Sequence, residues 1–93
     1  MRRNQRGTTD AGVRLAPGVR FAGSSGHEAM PVLVCPDGKV QLNANAATIL
    51  RLCDGSRTRD ELIAEVMRRV PSRAVEIVEF LNAAHGRGWI VGV

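Results

Sequence analysis

The sequence predicts an α+β domain in which a small N-terminal antiparallel sheet precedes a bundle of three helices. Two observations carry this. Apolar residues alternate with period two as far as Leu42 and recur with period 3.6 after it, and Pro- and Gly-bearing turn signals divide both halves into short elements. At 93 residues the chain makes one domain, near the lower size for a self-sufficient core.

Residues 1 to 12, MRRNQRGTTDAG, are polar and basic without hydrophobic period, and are expected to form a disordered arm ahead of a single domain over 13 to 93. Within "LAPGVRFAG" a Pro-Gly turn precedes Val19 and Phe21 in alternation, which suits a short strand, and "SSGH" reads as a turn. "AMPVLVC" is a compact apolar run closed by Pro36-Asp37-Gly38, and "KVQL" alternates after it, so the two form a strand, a tight turn and a strand. Pro31 is expected to put its strand at a sheet edge or on a bulge.

The first helix follows from Ala46, Ile49, Leu50 and Cys53 on one face, with Asn43 or Asn45 as N-cap and Asp54-Gly55 at its end. Thr58 with Glu61 matches a capping box that opens the second helix, whose stripe is Leu62, Ile63, Val66, Met67 and Val70 and which Pro71 stops. Ser72 is expected to cap the third, with Ala74, Ile77, Val78, Leu81 and His85 as its stripe and "GRG" closing it. "WIVGV" suits a short terminal strand. This order is that of a winged helix-turn-helix, with "DGSRT" as the inter-helix turn. N-terminal strands on a Gly/Ser turn also allow a strand-exchanged dimer, so the chain is expected as monomer or homodimer.

Arg2, Arg3, Arg6, Arg14 and Arg20 against Asp10 alone account for the whole net charge of +4, so the basic balance belongs to the N-terminal end. The third helix, the one that would enter a major groove, carries Arg73 against Glu76 and Glu79. That face repels a duplex, which leaves a winged-helix DNA-binding regulator as the alternative reading and predicts no nucleic-acid partner. Phe21, Phe80 and Trp89 are the only aromatic residues, too few for a stacking platform. The chain shows neither an apolar span of membrane length nor a signal-peptide pattern, and is expected to be cytoplasmic with no membrane partner. In that reducing setting Cys35 and Cys53 are expected as free thiols.

Candidate chemistry is sparse. Cys53-Asp54 at a helix C-terminus sits at the negative end of the dipole, which disfavours a thiolate nucleophile. His27, Cys35, Cys53 and His85 lack zinc-ligand spacing. Glu76 and Glu79 share a solvated face. P-loop, dinucleotide and nucleophile-elbow motifs are missing, so the chain is expected to be no enzyme and to hold no metal or cofactor. What the order of elements does offer is a sheet edge beside the third helix. An extended peptide can add there as a strand on "KVQL", with Val75 and Val78 beside Asn82 as pocket walls.

At "PDGKVQLNANAATILRLCDGSRTRDELIAEV" the sequence resembles the PqqD family of pyrroloquinoline quinone (PQQ) biosynthesis. The matching elements are Pro36-Asp37-Gly38, Leu42-Asn43, Ile49-Leu50, Leu52-Cys53-Asp54-Gly55, Thr58 and Phe80-Leu81, and the likeness runs from about Leu15 to Val91. Cys35 stands where relatives often carry an aromatic. The resemblance implies a non-enzymatic peptide chaperone that binds the ribosomal precursor peptide PqqA and presents it to the radical SAM enzyme PqqE. The expected peptide site comprises Val40, Gln41 and Leu42 on the strand and Arg73, Val75, Val78, Glu79 and Asn82 on the helix.

Overall fold

The computed structural model describes residues 12 to 22 and 31 to 93. The elements run β1 (Arg14–Leu15), β2 (Arg20–Phe21), β3 (Val32–Cys35), β4 (Gly38–Gln41), α1 (Ala44–Arg51), α2 (Arg59–Arg69), α3 (Ala74–Gly86) and β5 (Ile90–Val91). This is the expected α+β order, with the strands divided between two small antiparallel sheets: β2-β3-β4, and β1 paired with the terminal β5. The arm expected over residues 1 to 12 lies, apart from Gly12, outside the described residues, as do the "SSGH" turn and His27.

The core is aliphatic. Leu33, Leu50, Leu62, Val66, Ile77, Leu81, Ile90 and Val13 are fully buried, so the sheet, all three helices and the two chain-end segments contribute to one cluster. On α2 the buried stripe is narrow. Leu62, Val66 and Val70 are inside and Ile63 is half-buried, whereas Met67, expected on the stripe, is exposed. On α3 the buried set is Ile77, Leu81 and Ala84, which turns the face away from Ala74 and His85; both are exposed, contrary to the pattern expected for them.

The helix starts are built locally. Asn43 Oδ1 accepts from the Ala46 amide at 2.8 Å and opens α1. Thr58 and Glu61 form the expected reciprocal box, with Thr58 N donating to Glu61 Oε1 at 2.8 Å and Glu61 N to Thr58 Oγ1 at 3.2 Å. For α3 the cap is Arg73 rather than Ser72. The Glu76 carboxylate reaches back to the Arg73 amide at 3.0 Å, so the stabilising contact comes from the third helical residue instead of a hydroxyl before the helix.

The segment after α1 departs most from expectation. The helix ends at Arg51, not at Asp54-Gly55, because residues 53 to 57 pair with the N-terminal segment. Leu15 N donates to Cys53 O, Gly55 N to Val13 O and Val13 N to Arg57 O, with Arg14 bridged to Asp54. "DGSRT" is therefore a strand-like partner for β1 as well as a connection. Arg57 Nη1 donates to the Leu52 carbonyl at 3.0 Å, covering the end of α1. Close packing here requires glycine: a Cβ on Gly12 would overlap the Gly55 carbonyl, and one on Gly92 the Gly12 carbonyl.

Pro31 also sits differently from expectation. β3 is the central strand of its sheet, and Pro31 precedes it, so its missing N–H costs the ladder nothing while its carbonyl accepts from Leu42 N at 2.8 Å.

Candidate functional site

β4 is an edge strand: it pairs with β3 on one side and with no described strand on the other. The register matches Cys35 with Gly38, Val34 with Lys39, Leu33 with Val40 and Val32 with Gln41. In an antiparallel ladder, opposed residues alternate between pairs that exchange hydrogen bonds and pairs that do not. The bond from Leu42 N to Pro31 O marks 31–42 as a bonded pair, which makes 33–40 bonded too and leaves 32–41 and 34–39 unbonded. The amide and carbonyl groups of Lys39 and Gln41 thus point out of the sheet, four backbone groups in all.

Of the strand residues expected at the site, Gln41 lies on this open edge and Val40 is half-buried beside it. Leu42 lies past the strand, its side chain in the core and its amide already taken by Pro31. On α3, Val75, Val78, Glu79 and Asn82 stand at i, i+3, i+4 and i+7 and share one stripe facing away from Ile77, Leu81 and Ala84. Val75 and Asn82 are exposed, and Val78 is half-buried. Arg73 stands exposed at the start of that helix.

A groove of about 500 Å³ opens along β4, and it is walled differently from the sequence expectation. Its lining comes from the β3–β4 turn and strand, Cys35 to Val40, and from the turn between α3 and β5, Arg87, Gly88 and Trp89. The sequence reasoning does not reach Lys39, Arg87 and Trp89; the lone Trp directly after the "GRG" helix stop is the signal that points to this end. The Arg87 guanidinium lies over the Trp89 ring, 5.5 Å from its centroid.

The cysteines are free. Burial, reinforced by the Asp54 carboxylate and opposed by Arg57, pushes the Cys53 thiol up to about 12, and its Sγ donates to the Ile49 carbonyl. Partial burial and Asp37 raise Cys35. Asp54 is held below the ordinary carboxylate range by hydrogen bonds from the Ser56 hydroxyl and amide, aided by Arg57. Among the described residues no group of three His, Cys, Asp or Glu side chains converges as a metal site would need, and no helix is long and apolar enough to cross a membrane. The geometry suits binding through backbone and groove.

The family model "Coenzyme PQQ synthesis protein D (PqqD)" matches residues 31 to 90, which spans β3 to β5 and so both walls of the groove. The chain belongs to the PqqD family. Among its PqqD relatives, a "PqqA binding protein" of Pseudomonas putida is 36% identical over 80 residues, covering 80% of this chain and 84% of that protein. Proteins of the same name from Azotobacter vinelandii and Methylococcus capsulatus are 42% and 34% identical over 62 and 61 residues. Those two matches cover 63% of this chain and 67% and 66% of the relatives, so the likeness spans about two thirds of their length. No solved structure matches the chain.

Proposed function

We propose that this PqqD-family chain is a non-catalytic peptide chaperone of PQQ biosynthesis, which binds the precursor peptide PqqA and presents it to the radical SAM enzyme PqqE in the cytoplasm. It uses no cofactor and needs no nucleic acid. The observation that carries the reading is the open edge of β4, where Lys39 and Gln41 direct four backbone groups outward in a family whose relatives carry the name PqqA binding protein. The peptide adds there as a strand. Val40 and Gln41 form the floor, with Leu42 anchoring the strand end to the core, and Val75, Val78, Glu79 and Asn82 supply the helical wall, with Arg73 at its head.

Magnitudes limit what the edge does alone. Four backbone hydrogen bonds at about 1 kcal/mol net each sum to about 4 kcal/mol, comparable to a millimolar complex before the cost of ordering the peptide is subtracted. Side-chain anchors must supply the rest.

The test is an NMR titration of the isotope-labelled chain with synthetic PqqA at moderate salt. Saturable amide shifts at residues 39 to 43 and 73 to 85 are expected. Amides that stay still would remove the reading, and shifts on duplex DNA instead would favour the winged-helix regulator.

A further inference from the structure

We propose that the groove between the β3–β4 turn and the α3–β5 turn is an anchoring subsite for a carboxylate side chain of the bound peptide, held by Lys39 and Arg87 against Trp89. The inference rests on the peptide-binding reading and gives it the side-chain anchor that backbone pairing lacks.

Four observations converge on it. The groove lies along the same strand whose outward groups would pair with a peptide, and Lys39 belongs to both. Two cations, Lys39 and Arg87, line it against a single carboxylate, Asp37, and among the described residues neither cation is engaged in an ion pair. The Arg87 head is stacked over Trp89, which orients its donors before any ligand arrives. Finally, the carbonyls that end α3 would repel an anion if bare, but those of Ala83, Ala84 and His85 already accept from the amides of Arg87, Trp89 and Gly88. Local charge therefore favours an acidic occupant.

Strand geometry says which peptide residue this is. On an added strand the residue directly opposite Lys39 projects from the same face of the sheet as the Lys39 side chain, close enough for a cross-strand ion pair. An acidic residue in that register reaches Lys39. The subsite thus sets register as well as affinity, since a slip of one residue would carry the carboxylate to the other face.

The experiment uses the full chain, synthetic PqqA, and PqqA peptides in which each acidic residue in turn is replaced by its amide. The readouts are the backbone amides and the indole N–H of Trp89, a single resonance because the chain has one Trp. Saturating PqqA is expected to move the indole signal, and Lys39→Gln and Arg87→Gln each to weaken binding by about tenfold, with Lys39→Arg retaining most of it. One amide-substituted peptide should lose the same factor against the native chain and nothing further against the double variant. Neither side chain is in an ion pair among the described residues, and the Arg87 stack on Trp89 lies at the surface, so folded variants are expected, and unchanged amide spectra away from the groove check this. If residues 39 to 43 shift saturably while the indole stays still and both Gln variants bind as well as the native chain, the subsite is overturned and the edge reading stands. If the native chain shows no saturable shift anywhere, both fall together.

Discussion

The Leu42 amide donates to the Pro31 carbonyl at 2.8 Å, and that one bond determines which face of β4 is open. Because bonded pairs alternate, Gln41 presents its N–H outward and Val40 presents its own to Leu33. Gln41→Pro is thus expected to remove one outward donor, weakening PqqA binding about fivefold, the equivalent of roughly 1 kcal/mol, with little loss of stability. Val40→Pro removes a ladder bond at a half-buried position and is expected to unfold the hairpin. Calorimetric titration of the first and thermal melting of both separate the two roles; equal effects would mean the register argument is wrong.

Cys53 makes a different prediction, one about packing. Cys53→Ala deletes a buried sulfur and its contact with the Ile49 carbonyl, for an expected loss of about 1 kcal/mol, with PqqA affinity unchanged. A folded variant that no longer binds peptide would show that the thiol has a role at the site.

The same thiol gives a pH dependence with a definite sign. Its folded value, about 12, lies above the ordinary thiol value of 9.0, so the folded state holds a proton that the unfolded chain releases. The stabilisation is complete below about pH 9 and is lost as pH rises toward 12. At the acid end the sign reverses. Asp54, lowered by Ser56 and Arg57, and Glu65, lowered first by its hydrogen bond from Arg69, stabilise the ionised form, so stability falls as pH drops through and below the ordinary carboxylate range. Denaturant midpoints from pH 3 to 11 check both limbs, and in Cys53→Ala the alkaline limb should flatten.

Gly12→Ala is expected to cost about 2 kcal/mol, because its Cβ would overlap the Gly55 carbonyl. Gly86→Ala, at a site where a Cβ meets nothing and the backbone is helical, should be neutral or slightly stabilising. A difference of several degrees in melting temperature between the two variants is the readout.

Local signals in the sequence suffice where a local cause acts. Thr58 and Glu61 lie three residues apart and satisfy each other's amides, so the start of α2 was visible without a fold. The hairpin around Pro36-Asp37 and the closure at "GRG" are of the same kind. Sequence pattern and structure part where a distant segment decides. Gly55 looked like a helix cap, but its amide is claimed by Val13, some forty residues away in the chain, and α1 stops short as a result. His85 fitted a periodic stripe, yet Ala84 is the residue that faces the core, because β5 packs back on that side. At the site, period two located the edge strand, while the pairing of β4 with the Arg87-Trp89 turn is a tertiary juxtaposition with no spacing to betray it.

The brevity of β4 bears on how long a partner stays. Lys39 and Gln41 offer four backbone groups, after which Leu42 turns into the core and Asn43 begins a helix. A segment held by so few bonds has a low barrier to release. With an encounter rate of about 10⁶ M⁻¹ s⁻¹, even a micromolar complex lives for only about a second. The short edge thus favours turnover over storage, and a peptide seated there is soon free to move to the next surface.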